Sequence, residues 1–420
     1  MLFWVIFFII SIISPLTIRY NKKIYLSAIG IISSADIYGV QIGDSTLPAF
    51  SFFIFVQFLI LIRTGINFKS IYNAFFNNYF NKYIFVSVIT LGISTSFTQL
   101  YFNEANPLLF IRPLILVLQW AVILGFYIKF IYCEEDIGAD ILVVCWSVAL
   151  FTLALILYQL YGFTWYVPVN SSTYQLHEIK EFGWADRPAG LTREPAHLTV
   201  IALAIMSSIS TLSPVKIKSI ILALITFSLI GFFSETRSII LLSALSFSFY
   251  LLFISEIKFN KRVMLIFASC ILFFFILVYY SRLQTVLDIR SDESTLTRYG
   301  LLFVSAYYYI VNPWIFMGLE NAPILFCTSG QNFLDLNEIC GKFDGAILNS
   351  TVSYLVSLPF FINFIVTILF YLKSDRVSKL FIINFLISGL VLYQWAYPVL
   401  GIYFFLASLV TLSNRRKCNI

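Results

Sequence analysis

Residues 141–162 read ILVVCWSVALFTLALILYQLYG, an apolar run of 22 positions without a charged side chain. A helix needs about 20 such residues to cross the hydrocarbon core of a bilayer, so this run predicts a membrane-spanning helix. Similar runs recur along the 420-residue chain, which is 60% hydrophobic and 11% charged. Soluble domains are about one-quarter charged, so this composition predicts a membrane protein.

The apolar runs together predict an all-α, polytopic integral membrane protein of about 12–13 transmembrane helices, with 1–420 as a single transmembrane domain. The stretch 68–82 mixes aromatic residues with Asn and predicts a helix that lies on the membrane surface. The first run has no preceding basic residue and no small-residue cleavage site, which favours a retained helix over a removed signal peptide. The predicted spans are 2–18, 24–39, 47–62, 83–100, 108–128, 141–162, 196–213, 219–233, 238–254, 263–280, 351–372, 380–394 and 398–412.

Positive charges are distributed unevenly between the segments that join these spans. One set of connecting segments holds 18 of the 27 Lys and Arg residues, the opposite set holds eight, and Arg112 lies inside a span. Cytoplasmic loops are enriched in Lys and Arg, so the first set is assigned to the cytoplasm. The amino terminus and the long loops 163–195 and 281–350 then face out, and the carboxyl terminus faces in. The net charge of +6 follows from this topology and does not indicate nucleic-acid binding.

The first long loop ends in EFGWADRPAGLTREPAHLTV, at 181–200. Arg187 and Arg193 could grip a phosphate or diphosphate, because each guanidinium presents a planar fork of donors. Glu194 and His197 are candidate proton acceptors for an attacking hydroxyl. Two structural alternatives stay open: the charges pair with each other on a solvated loop, and His197 begins the next helix.

Two further arginines stand at or inside predicted spans. The sequence FFSETRSII, at 232–240, places Glu235 and Arg237 at the outer end of a helical hairpin. There they either cap the two helices as an ion pair or put Arg237 near the loop arginines. Arg112 lies near the outer end of its span, where it either has a function or extends its charge to the interface.

The second long loop carries further arginines, of which Arg290 and Arg298 are candidate phosphate ligands, although pairing with nearby acidic residues is the alternative. Cys327 and Cys340 share this loop and either form a disulfide or stay unpaired. The chain has two His residues, no Cys–His cluster, no Gly-rich nucleotide loop and no Asp-x-Asp pair. The sequence therefore predicts neither a metal nor a cofactor.

Three of these stretches resemble segments of the bacterial O-antigen polymerase (Wzy-type) family, within the superfamily that also contains the O-antigen ligases. They are RPAGLTREPAHL at 187–198, SETRS at 234–238 and TRYGLLFVSAYYYIVNPWIFMGLEN at 297–321. The layout of many spans with two long outer loops is similar over the whole chain. The resemblance implies a GT-C-like fold in the bacterial inner membrane, with both loops in the periplasm.

The activity implied by the resemblance is metal-independent glycosyl transfer. The enzyme would join oligosaccharide repeat units carried on polyprenyl (undecaprenyl) diphosphate, which serve as donor and acceptor. Arg187, Arg193 and Arg298, supported by Arg237, Arg290 and Arg112, would bind the diphosphates, and Glu194 or His197 would be the base. Membrane lipids are the implied surroundings, and a polysaccharide chain-length regulator stays open as a partner.

Two alternative functions, a ligase and a flippase, predict sequence features that differ from those of a polymerase. A ligase commonly has a His-Asn pair before the helix after the large loop, but FDGAILNSTVSYL at 343–355 contains Asn349 without an adjacent His. A lipid-linked oligosaccharide flippase or other transporter should place polar and charged residues along a path inside its spans. Here the charges collect outside the spans, which favours an enzyme.

Overall fold

A computed structural model provides the structure of the chain. It describes residues 9, 13, 15–16, 21–34, 39–42, 45–65, 68–102, 108–132, 137–161, 188, 190, 192, 197–212, 217–234, 236–253, 260, 263, 266, 310–311, 313–314, 316, 350–355, 357–389 and 399–415. The predicted spans 2–18 and 263–280, and nearly all of both long loops, lie outside these residues.

The described architecture is helical, as predicted, with one short β-hairpin. The elements before the first long loop are α1 (Lys22–Ser34), β1 (Gly39–Ile42), β2 (Ser45–Pro48), α2 (Ala49–Thr64), α3 (Phe68–Phe76), α4 (Tyr79–Phe102), α5 (Leu108–Phe130) and α6 (Ile137–Leu160). Those after it are α7 (His197–Thr211), α8 (Ile217–Phe233), α9 (Arg237–Phe253), α10 (Ser350–Leu355), a 3₁₀ turn (Pro359–Phe361), α11 (Ile362–Lys373), α12 (Arg376–Gly389) and α13 (Val399–Arg415).

Two boundaries in the first part of the chain differ from the prediction. The span 24–39 ends at Ser34, and β1 pairs with β2 in an antiparallel hairpin before α2 begins. The surface helix predicted over 68–82 ends at Phe76. Asn78 caps the next helix, since its Oδ1 accepts a hydrogen bond from the N–H of Phe80 at 2.8 Å. Residues 79–82 therefore belong to α4.

The predicted span 351–372 is wrong as one continuous helix. It is interrupted between α10 and α11 by a 3₁₀ turn that starts with Pro359. Proline has no backbone N–H, and its ring collides with the preceding helical turn, so a helix does not run through it. Phe360 and Phe361 follow with φ of 54° and 55°. This left-handed conformation costs a non-glycine residue about 1–2 kcal/mol.

Helix α7 forms the centre of the bundle. All its residues are buried, and α6, α8, α9, α12 and α13 pack around it. Polar side chains join the central helices: the Asn384 amide donates to Ser207 Oγ at 2.6 Å and to Ser246 Oγ at 2.9 Å. A hydrogen bond inside a protein stabilises the folded state by about 0.5–1.5 kcal/mol net. These two bonds fix the positions of α12, α7 and α9 relative to one another.

Large apolar side chains point outward from several peripheral helices. On α2, Phe55 and Leu59 are 57% and 49% exposed, and on α11 Ile365 and Leu372 are 51% and 65% exposed. Among the described residues, α6 is the one helix long and apolar enough to cross a membrane. Seven shorter apolar helical segments of 10–17 residues accompany it.

Candidate functional site

A loop segment is fixed to the carboxyl end of α6 by one glutamine. Gln159 Oε1 accepts a hydrogen bond from the N–H of Gly190 at 2.9 Å, and its Nε2 donates to the Gly190 carbonyl at 3.2 Å. The side-chain amide thus pairs with a peptide unit as a neighbouring strand would. The described residues around this contact, Pro188 and Thr192, are also buried. The loop is therefore packed against the protein at these positions. The alternative that its charged residues pair with each other concerns residues outside the described ones and stays open.

Position 190 requires glycine for two reasons. Its φ is +60°, a conformation that L side chains rarely adopt. A Cβ at this position would lie 3.1 Å from Thr152 Cγ2 and 3.4 Å from Ile156 Cγ1. The Thr152 hydroxyl beside it is buried and has no hydrogen-bond partner among the described residues. The backbone of the loop therefore lies directly on α6.

The predicted candidates His197 and Arg237 begin two adjacent helices. His197 is the first residue of α7 and is fully buried, in agreement with the interpretation that it begins a helix. Arg237 is the first residue of α9. Thr199 and Ser238 share a hydrogen bond of 2.8 Å between their hydroxyls. The amino ends of α7 and α9 therefore lie side by side.

The turn that precedes Arg237 is tight. Thr236 N–H donates to the Gly231 carbonyl at 2.8 Å, and the Ser234 hydroxyl donates to Thr236 Oγ1 at 3.0 Å. A Cβ at Gly231 would lie 2.7 Å from Ile240 Cγ1, so α8 and α9 approach closely there. The predicted helical hairpin at FFSETRSII is confirmed.

The other predicted site residues fall into two groups. Arg112 is the fifth residue of α5, near the amino end of that helix. The remaining candidates, and the two loop cysteines, lie outside the described residues: Arg187, Arg193, Glu194, Arg290, Arg298, Cys327 and Cys340.

The described residues of the second long loop contact the interruption between α10 and α11 and helix α4. The Pro313 carbonyl accepts a hydrogen bond from the N–H of Phe360 at 3.0 Å. The Trp314 ring packs edge-on against Phe360 with centroids 4.2 Å apart, and Phe316 stacks on Phe97 of α4 at 4.7 Å. Pro313, Trp314 and Phe316 of the third motif are therefore attached to the helix interruption and to α4.

Buried polar groups surround that interruption. Ser87 Oγ donates to the Tyr354 hydroxyl at 2.8 Å, and the Asn363 amide donates to the Tyr354 carbonyl at 2.8 Å. Ser94 Oγ donates to the carbonyl of Ser357. The bonds to the carbonyls of Tyr354 and Ser357 satisfy backbone groups near the end of α10, where helical partners are missing. They also produce a polar, uncharged interior next to α4.

The amino end of α6 has an ionic contact that sequence reasoning missed. Lys22 Nζ lies 2.8 Å from Asp140 Oδ1, and the Tyr127 hydroxyl donates to Asp140 Oδ2 at 2.8 Å. The Asp140 side chain is 4% exposed and that of Lys22 is 29% exposed. A charge buried in this way requires a partner and hydrogen bonds. The signal in the sequence is a single Asp beside an apolar run.

Gln159 was also missed. It is the one amide in the run ILVVCWSVALFTLALILYQLYG, and a lone polar residue there could have been singled out. Its partner lies 31 positions along the chain, a distance that no local pattern reveals.

Comparison of the chain with protein-family models gives no match, and comparison with curated protein sequences gives none either.

Proposed function

We propose that the chain is a polytopic inner-membrane glycosyltransferase of the O-antigen polymerase type. It joins oligosaccharide repeat units that are carried on polyprenyl diphosphate, at the periplasmic ends of its helices. The observation that carries the proposal is the meeting of two sequence clusters at one end of the bundle. The Gly190 segment is held on the carboxyl end of α6, and the amino ends of α7 and α9 adjoin.

Chain connectivity keeps the candidate arginines near this end. Arg187 and Arg193 are each three residues from Gly190, so their Cα atoms lie within about 11 Å of it. Arg237 begins α9 beside the start of α7. In the proposed site, these arginines bind the two phosphates of a lipid carrier without a metal ion.

Membrane insertion is supported by the dimensions of α6 and by the outward apolar faces. Asp140 and Gln159 are 19 positions apart, which in a helix corresponds to about 28 Å. The hydrocarbon core of a bilayer is about 30 Å thick. Most outward side chains of α2, α8 and α11 are apolar, for example Phe58, Leu229 and Leu369, which are 40%, 42% and 49% exposed. Faces of this kind suit contact with lipid.

The proposed reaction is displacement at the anomeric carbon of the donor glycan. A hydroxyl of the acceptor repeat unit attacks that carbon, and its proton passes to Glu194 or His197. The bond from the anomeric carbon to the diphosphate breaks, and its electron pair leaves with the polyprenyl diphosphate. Arg187, Arg193 and Arg298 stabilise the charge that develops on the leaving group.

The test is the length of the surface glycan on cells that lack the gene. These cells are complemented with wild type, Arg187→Ala or Arg298→Ala at matched membrane expression. Lys180→Ala is the control, because Lys180 belongs to the same loop as Arg187 but lies outside the arginine cluster. We expect wild type and the control to restore a ladder of repeat units, and both arginine variants to leave a single unit attached.

Two other results would replace the proposal. If deletion leaves complete polymer that is not attached to its acceptor lipid, the protein is a ligase. If deletion leaves repeat units on the inner leaflet, the protein is a flippase.

The topology is tested separately by cysteine labelling in a variant whose six cysteines are replaced by serine. Lys23→Cys and Tyr161→Cys introduce one thiol near each end of the α1–α6 pair, in the first turn of α1 and just after α6, at exposed positions. A membrane-impermeant maleimide added to spheroplasts should label position 161 and leave position 23 unlabelled until the membrane is opened. Equal labelling of both positions before opening would contradict the proposed crossing.

One observation favours a flippase as the second candidate. The interruption between α10 and α11 brings buried polar groups, among them Ser357 and Asn363, into the predicted span 351–372. Transporters often bind their substrates at interrupted helices. The leaflet assay above separates this candidate from the polymerase.

A further inference from the structure

A groove opens where α2 and α3 both pack against α5, at the end of the bundle that the topology assigns to the cytoplasm. Its volume is about 410 Å³. The residues that line it, mostly apolar, are Leu61, Ser70, Ile71, Gly125, Ile128 and Lys129.

Gly125 contributes to the shape of this groove. A Cβ at this position would lie 2.5 Å from Ile71 Cδ1 and 3.6 Å from Leu61 Cδ1. Any larger residue would therefore occupy the space between α2 and α3. The groove depends on a helix surface without a side chain at this point.

One residue that lines the groove, Lys129, is basic and exposed. Arg63 and Lys69 are also exposed, and in the chain they stand two positions from Leu61 and one position from Ser70. The Lys129 ammonium donates to the carbonyls of Thr64 and Gly65, which end α2. These bonds fix a positive charge at the rim, and one of its three N–H donors is left for a ligand. The segment 63–82 contains basic residues but no acidic one.

The outer face of α3 is aromatic. Phe68 and Tyr72 lie one turn apart and are 74% and 62% exposed, whereas Phe75 is buried in the bundle. Aromatic side chains are enriched at the boundary between membrane and water. This face suits a helix that lies among lipid headgroups, with its basic residues beside the phosphates.

We propose that this groove is a binding site for an anionic diacyl phospholipid of the cytoplasmic leaflet. Arg63, Lys69 and Lys129 bind the headgroup phosphate, and one acyl chain lies along Ile71 in the groove. Basic pockets between helices on this side of a membrane bind acidic lipid headgroups. The inference rests on the proposed membrane location, but not on the proposed glycosyl transfer.

The experiment uses the full chain, purified in detergent with equimolar phosphatidylglycerol and phosphatidylcholine, and native mass spectrometry of the retained lipid. We expect wild type to retain phosphatidylglycerol at least about five-fold over phosphatidylcholine, the effect expected of the charge-assisted contacts. Arg63→Gln with Lys69→Gln should reduce this preference to less than about two-fold. The matched control, Lys373→Gln with Arg376→Gln, removes two exposed charges at the same end of the bundle and should keep the preference.

A second variant tests the apolar part of the site. Ser70→Trp places an indole in the groove and should reduce the retention of both lipids. No preference in wild type, equal loss in both double variants, or full displacement of the lipid by millimolar inorganic phosphate would overturn the proposal. Extraction of the chain from membranes by alkaline carbonate without detergent would instead refute the membrane location. This measurement distinguishes a failure of the proposed membrane location from a failure of the proposed lipid site.

Discussion

Asp140 and Gln159, at opposite ends of α6, each hold another segment of the chain by polar bonds. Asp140 accepts from Tyr127 and pairs with Lys22, whereas Gln159 binds the backbone of Gly190. Between them α6 is apolar, with Thr152 as one of its few polar residues. Polar bonds therefore hold both ends of α6, and those at its carboxyl end are made to the loop that carries the candidate arginines.

Gln159→Leu should weaken both the fold and the proposed activity. Leucine has a similar size but neither donates nor accepts, so both backbone groups of the buried Gly190 lose their partner. An unsatisfied buried polar group costs about 1–3 kcal/mol. We expect a lower melting temperature in detergent and a shorter glycan ladder. Gln119→Leu is the control, because Gln119 is half-buried and makes a weaker bond of 3.3 Å to Ser51. Equal melting temperatures of the two variants would contradict the role of Gln159.

Gly190→Ala should destabilise the loop through backbone strain and a steric clash. A left-handed alanine costs about 1–2 kcal/mol, and its Cβ would lie 3.1 Å from Thr152 Cγ2. Thr152→Ser removes that methyl group alone. Protease should therefore cleave the loop fastest in Gly190→Ala. In the double variant Gly190→Ala with Thr152→Ser, the cleavage rate should return part of the way to that of wild type. A double variant that is cleaved as fast as the single one would show that the clash contributes nothing.

Asp140→Asn should destabilise the protein by leaving the Lys22 ammonium without its anionic partner. Removal of one member of a fully buried pair costs about 3–5 kcal/mol. Lys22 is 29% exposed, so we expect a smaller loss of about 1–3 kcal/mol. Adding Lys22→Gln should recover part of the melting temperature. The same substitution at exposed Asp375, whose Oδ1 accepts from the Ser378 N–H, should be nearly neutral, since asparagine caps helices equally well.

Gly401→Ala should be far more harmful than Gly138→Ala. A Cβ at Gly401 would overlap the Trp120 indole, 1.2 Å from its Nε1, whereas nothing lies within 4 Å of a Cβ at Gly138. Alanine stabilises a helix interior by about 0.5–1 kcal/mol relative to glycine when there is room for it. We expect Gly138→Ala to melt at or above the wild-type temperature, and Gly401→Ala to give little monodisperse protein by size-exclusion chromatography. Similar elution and melting of both variants would refute the close contact between α13 and α5.

Most helices of the described fold are predicted by apolar run length, because apolar runs longer than about 12 residues exceed the usual length of a strand and favour a helix. The interruption at Pro359 could have been predicted from that proline, but the apolar residues on both sides of it favoured a continuous span. The hairpin of β1 and β2 has no such signal, since its strands are four residues each.

The candidate site was predicted less completely than the fold. Helix starts at His197 and Arg237 follow from local changes of composition. The contacts made by Gln159 and Asp140 join segments that are distant in sequence, and tertiary packing determines them. The roles of Arg187, Arg193, Glu194, Arg290, Arg298 and Arg112 stay predictions.

The hydrogen bond from Phe360 N–H to the Pro313 carbonyl joins the second long loop to the interruption between α10 and α11. Helix α11 has 12 residues, about 18 Å of rise, so a crossing at 350–373 has to include the 3₁₀ turn. Inside a bilayer, a backbone N–H without a partner costs several kcal/mol because no water replaces it. In the proposed membrane location, withdrawal of the Pro313 segment would leave that donor without a partner. The Pro313 carbonyl therefore supplies to the interruption the acceptor that a carbonyl of a continuous helix would otherwise provide.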